Sequence, residues 1–157
     1  MRSRISKRPG LNVSRRIDFE RLAADMLCLP QAELNLTHLF APGVYLRMII
    51  VPKGALILGH EHKTEYFNIV MSGSASVLMD GNIHDIKAPC IVKSGIGIQK
   101  LAYAKEQMIW VTVHATNETN IDKIEEQLIV RSKALEKHKR KVKALVEHAE
   151  RNLCQQQ

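Results

Sequence analysis

Between residues 36 and 115 the apolar residues come in short runs separated by turn-forming residues. Val44 to Val51 is the longest, bounded by Pro42-Gly43 and Pro52-Lys53-Gly54. Phe67 to Val70, Ala75 to Met79, Ile83 to Ile86, Cys90 to Val92, Gly97 to Ala102 and Met108 to His114 follow. Many short strands at regular spacing predict a sandwich or barrel. Asp80-Gly81, between two of the runs, predicts a two-residue hairpin turn, and Gly73, Gly95 and Gly97 mark further bends. On either side the period changes. Phe19, Leu22, Ala23 and Met26 have helical spacing within Ile17 to Leu29, and Pro30 ends that segment; the reading is a short helix packed on the barrel. Residues 119–154 contain neither Gly nor Pro and predict one long helix capped by Thr119 or Asn120. Ile121, Leu128, Leu135, Val142 and Ala149 recur every seven residues, whereas the companion line Ile124, Arg131, His138, Leu145 and Asn152 is only partly apolar. That pattern fits an amphipathic helix lying on the domain or on a neighbour, or one that self-associates.

The expected organisation is therefore a basic arm over 1–16, a short helix and connector over 17–35, a β-barrel over 36–116 and a C-terminal helix over 117–157. With 45% hydrophobic but only 4% aromatic residues, the core must be built from Ile, Val, Leu and Met. The longest apolar runs are far too short to span a bilayer, and no signal-peptide segment follows the basic N-terminus. Cys28, Cys90 and Cys154 are odd in number and widely spaced, which argues against a disulfide framework or a zinc ribbon.

The formal charge of +7 is unevenly placed: residues 1–22 carry +5, residues 23–115 are neutral and residues 116–157 carry +2. Arg2, Arg4, Lys7, Arg8, Arg15 and Arg16 make the arm a candidate contact for nucleic-acid phosphates, without base specificity, or for an acidic protein surface.

The candidate chemistry lies in Gly54 to Gly73. His60 and His62 are two apart, so in a strand both imidazoles face one side and could begin a divalent-metal site. At least one further ligand would be needed, and Glu65, His84 or His114 are the candidates. The spacing of Gly54, His60, His62 and Gly73 resembles the first motif of the cupin superfamily. That resemblance places the family's glutamate at Tyr66, and Glu65 one step along points to the opposite strand face. The second motif, Pro-x-Gly-x-x-His, maps onto Gly95 to Lys100, with Gly97 retained and Lys100 where the third histidine belongs. The resemblance implies a mainly β fold, a single cupin-type jelly-roll barrel. Residues 35–130 further resemble small cupin-like proteins of tailed bacteriophages, which implies a phage virion or accessory protein in the host cytoplasm or the virion.

Three readings follow. The first is a non-enzymatic assembly protein, a homo-oligomer joined to other subunits. The second is a binding cupin with an altered ligand set, holding a divalent metal at His60 and His62 or, through Lys100, a small anion without metal. The third is a nucleic-acid-associated protein acting through its basic extensions.

Overall fold

In the computed structural model the described residues are 5–7 and 17–154, with the side chains of 5–7, 149, 150 and 152–154 left out of the description. The chain forms two compact units: residues 1–16 with 32–130, and residues 17–31 with 131–157.

The first unit is a barrel of antiparallel strands. Its strands are β1 (Ile5–Lys7), β2 (Asn35–Ala41), β3 (Val44–Val51), β4 (Leu56–Leu58), β5 (Glu61–His62), β6 (Tyr66–Ser72), β7 (Ser74–Met79), β8 (Asn82–Lys87), β9 (Cys90–Ser94), β10 (Leu101–Ala104), β11 (Met108–Ala115) and β12 (Ile129–Val130). They make two five-stranded sheets, β1-β8-β7-β10-β4 and β2-β3-β11-β6-β9, and a small ribbon, β12-β5. The alternation of strands between the two large sheets, β8-β7-β10-β4 against β3-β11-β6-β9, is jelly-roll topology.

Local chemistry explains the turns. Asp80 and Gly81 both have positive φ, and Met79 pairs with Asn82, so the expected two-residue hairpin forms. The run expected from Gly97 starts later: Gly97 has φ 77°, a turn conformation, and the strand is Leu101–Ala104.

Strand pairing sorts the second sheet into two faces. Its inner rows run Leu36, Ile49, Trp110, Val70, Cys90 and then His38, Arg47, Thr112, Asn68, Val92. Tyr45, His114, Tyr66 and Ser94 line the barrel mouth beyond them. Val51, Val70, Ala75, Val77, Ile86 and Met108 fill the core. The outer rows are apolar as well: Leu39, Leu46, Val113 and Phe67, then Met48, Val111, Ile69 and Ile91.

The expected single helix over 119–154 is broken. It starts as α2 (Ile121–Leu128), passes through β12, and resumes as the long C-terminal helix α3 (Lys133–Cys154). Asn120 caps α2, its side chain accepting from Lys123 N at 3.1 Å. Ile124, Leu128 and Ile129 bury themselves against Tyr45 with Ile121 beside them, so the barrel unit continues past residue 116 to Val130. The break is tertiary in origin. Ile129 and Val130, both β-branched, pair with His62 and Glu61, and burial of Ile129 outweighs one more helical turn. Lys63 fastens the end of α2, its N donating to Leu128 O at 2.8 Å and its Nζ to Glu126 O at 2.7 Å.

The second unit pairs α3 with the short N-terminal helix α1 (Phe19–Met26). α1, which the sequence suggests packs on the barrel, packs against α3. Glu20 of α1 accepts from Lys133 N, Ala134 N and Ser132 Oγ, satisfying the open end of α3. The expected basic arm is also corrected in part: Ile5–Lys7 is a strand, because β8 offers an unpaired edge to which it adds in antiparallel register.

Candidate functional site

The barrel mouth gathers four rings and an amine. His62 comes from β5, Tyr66 from β6, His114 and Tyr45 from β11 and β3, and Lys100 from the segment before β10. Two backbone bonds set the register of the walls: Gly59 N donates to Lys100 O and Gly97 N to His62 O, each at 2.8 Å. Three of the rings form a triangle: centroids are 3.9 Å apart for Tyr66 and His62, 4.8 Å for Tyr66 and His114 and 5.1 Å for His62 and His114, and Tyr45 stacks on His114 at 5.9 Å.

Lys100 is 8% exposed and its Nζ donates to the Tyr66 hydroxyl at 2.7 Å. Burial raises the phenol, and the polar side chains of Ser94 and Asn68 oppose that shift. Asn68 Nδ2 donates to Ser94 Oγ at 2.9 Å and Trp110 Nε1 donates to Asn68 Oδ1 at 3.1 Å. The result is a buried polar cluster around the phenol.

The imidazoles are the exception. Nδ1 of His62 and Nδ1 of His114 are buried without a hydrogen-bond partner. Burial, then the neighbouring His114 and Lys100, push His62 down to about 3. Burial, then Arg47 and Lys100, push His114 down to about 4. Both rings are neutral at pH 7. Burial lowers Lys100 to about 8, which leaves it mostly protonated at pH 7.

Beside the stack is a cavity of about 120 Å³. Its polar wall is His38, Tyr45, Arg47, His62, Thr112 and His114; α2 and Ile129 supply most of the apolar wall, with Glu125 among them. His38 Nδ1 and the Tyr45 hydroxyl share a hydrogen bond of 2.7 Å. Burial and then the Arg47 charge lower His38, while burial raises Tyr45. No ion pair to the Arg47 guanidinium is found among the described residues.

Of the residues singled out in the sequence, His62, Lys100 and His114 converge. His60 is half-buried and contributes to the field on His62, behind His114 and Lys100. Glu65 does not join them: it faces outward in an ion pair of 2.8 Å with Lys93, both side chains 56% exposed, as strand alternation requires. His84 does not join them either. It stands on β8 opposite Val77, in the other large sheet, and is not among the groups acting on His62. Arg2, Arg4, Arg8, Arg15 and Arg16 lie outside the described residues, and Lys7 is in β1, its Cα opposite His84. Tyr45, Arg47, Thr112 and Glu125 escape the sequence reading, although Arg47 is the one charged residue of Val44–Val51.

His62 and His114 are stacked, with an interplanar angle of 13° and 5.1 Å between centroids. The Tyr66 hydroxyl is taken by Lys100, whose ammonium repels a cation. Among the described residues no group of three or more His, Cys, Asp or Glu is placed to hold a metal.

Several solved structures are similar to this chain over part of its length. An RmlC-like cupin from Shewanella frigidimarina is 19% identical, with 59% of this chain and 89% of that one covered and a TM-score of 0.46. An RmlC-like cupin with a double-stranded β-helix fold from Methanocaldococcus jannaschii is 16% identical, with 55% and 84% covered and a TM-score of 0.46. A cupin from Bacteroides fragilis is 14% identical, with 59% and 85% covered, also at 0.46. The fold is a cupin-like jelly roll. No family model and no curated protein sequence matches the chain. Nothing in these comparisons links it to tailed bacteriophages. Among the described residues no helix is long and apolar enough to cross a membrane.

Proposed function

We propose that this cupin-like barrel is a metal-independent binding module that takes a small carboxylate or similar anion at its mouth. The observation that carries this is the Arg47 guanidinium, on the cavity wall and without a carboxylate partner among the described residues. Its charge and that of Lys100 both lower His114, so the interior is electropositive where Arg47, Thr112 and the two imidazoles meet. A planar guanidinium is suited to a bidentate carboxylate. The unpartnered Nδ1 atoms add to the case, since each costs on the order of 1–3 kcal/mol that a ligand contact or a ring turn could offset. Titration calorimetry with short carboxylates and with inorganic phosphate tests the reading. Binding that Arg47→Gln weakens ten-fold or more supports it. Heat-free titrations in both proteins would sink it.

A second reading, self-association, has its own observation. Leu39, Phe67, Met71 and Ile91 stand 50–60% exposed with other apolar residues on the outer face of the β2-β3-β11-β6-β9 sheet. Residues 23–115 have no net charge, so two copies meeting there would not repel. Light scattering of the full chain beside Phe67→Lys/Ile91→Lys separates a dimer or trimer from a monomer. This is the form in which the assembly reading survives, and it needs no phage partner.

A further inference from the structure

The cavity carries charges of both signs on facing elements. Arg47 lies on β3 and Glu125 on α2, both line the same space, and no ion pair joins them among the described residues. Their fields meet at the His38–Tyr45 hydrogen bond, where Arg47 and Glu125 act in opposite directions on each partner. The cavity also has aliphatic lining: Leu36, Ile121, Ile124, Leu128 and Ile129. A plain carboxylate would satisfy Arg47 and leave the Glu125 carboxylate facing an uncharged tail. A ligand that carries an ammonium as well as a carboxylate would satisfy both. The space is also small. A cavity of roughly 150 Å³ holds benzene, so about 120 Å³ suits a ligand of about six heavy atoms. Neutral His62 and His114 add no charge that would repel an ammonium.

We propose that the ligand is a small zwitterion of the α-amino-acid class, its carboxylate on Arg47, its ammonium on Glu125 and a short aliphatic group against Ile121, Ile124 and Leu128. This rests on the anion reading above and adds the second charge. The proposal ranks three matched probes: 2-aminobutyrate, butyrate, which lacks the amine, and propylamine, which lacks the carboxylate.

The test is calorimetry of the full chain with these probes, beside Glu125→Gln and Glu125→Lys, with circular dichroism to establish that each variant is folded. The expected result is 2-aminobutyrate binding at least ten-fold tighter than butyrate, with propylamine weakest. Glu125→Gln should erase that preference, and Glu125→Lys should turn the preference towards succinate. Butyrate binding as tightly as 2-aminobutyrate, or a preference that survives in Glu125→Gln, overturns the zwitterion assignment and leaves the anion reading standing. Failure of both butyrate and 2-aminobutyrate, with Arg47→Gln no different from the parent, overturns both together.

Discussion

Lys100 Nζ lies 2.7 Å from the Tyr66 hydroxyl, so the two ligand positions at which the chain departs from the cupin motifs are bonded to each other. The amine stands where the resemblance expects a histidine and the phenol where it expects a glutamate. Together they join the buried polar cluster of Ser94, Asn68 and Trp110.

Lys100→Met tests what the ammonium does. It removes a charge that lowers both imidazoles and keeps the length of the side chain. The His62 and His114 resonances, followed by NMR through a pH titration, should move to higher pKa by about 0.5–1 unit. The variant leaves the phenol without its amine but also removes a buried charge, so stability should change by less than about 2 kcal/mol. Unmoved titrations would mean that Lys100 does not set the field at the mouth.

Acid should unfold the barrel through the same pair. Both imidazoles titrate well below their ordinary 6.5 in the folded chain. The unfolded chain therefore binds more protons below that pH, and stability falls as pH drops from about 6.5 towards 4. Each ring contributes up to about 1.4 kcal/mol per pH unit, so the pair should cost about 2–3 kcal/mol between pH 6 and 5. Urea melts at both values measure this, and His62→Gln or His114→Gln should roughly halve the drop.

Gly73 should tolerate no side chain. Its φ is +79°, and a Cβ there would overlap the Gln107 carbonyl oxygen. Gly73→Ala is expected to lose more than about 2 kcal/mol, read as a lower urea midpoint with an unchanged slope.

Ile124 ties α2 to the barrel. It is 2% exposed and packs with Tyr45, Leu128 and Ile129. Ile124→Ala should cost about 2–4 kcal/mol and weaken any ligand held in the cavity it lines. A loss below about 0.5 kcal/mol would show that α2 rides loosely on the mouth.

What was legible in the sequence was local. The Val44 to Val51 strand and the Asp80-Gly81 hairpin follow from short runs and turn residues, and the structure has both. The break in the C-terminal helix does not, because Ile129 and Val130 carry no breaking residue and owe their extension to His62 and Glu61 far back in the chain. At the site, His62, His114 and Lys100 could be named, whereas Tyr66 read only as a missing ligand. Arg47 was hidden because β3 bears apolar side chains on both faces, Leu46, Met48 and Ile50 outward and Ile49 and Val51 inward. That blurs the alternation by which an inward charge is recognised.

The ribbon between Ile129 and His62 makes the cover of the cavity and one of its imidazoles parts of a single hinge. A tilt of α2 outward would pull on the backbone that carries the His62 ring and so couple cavity width to imidazole orientation. A ligand that draws α2 inward would then announce itself at His62, in a chemical shift or a hydrogen-exchange rate, without having to touch that ring.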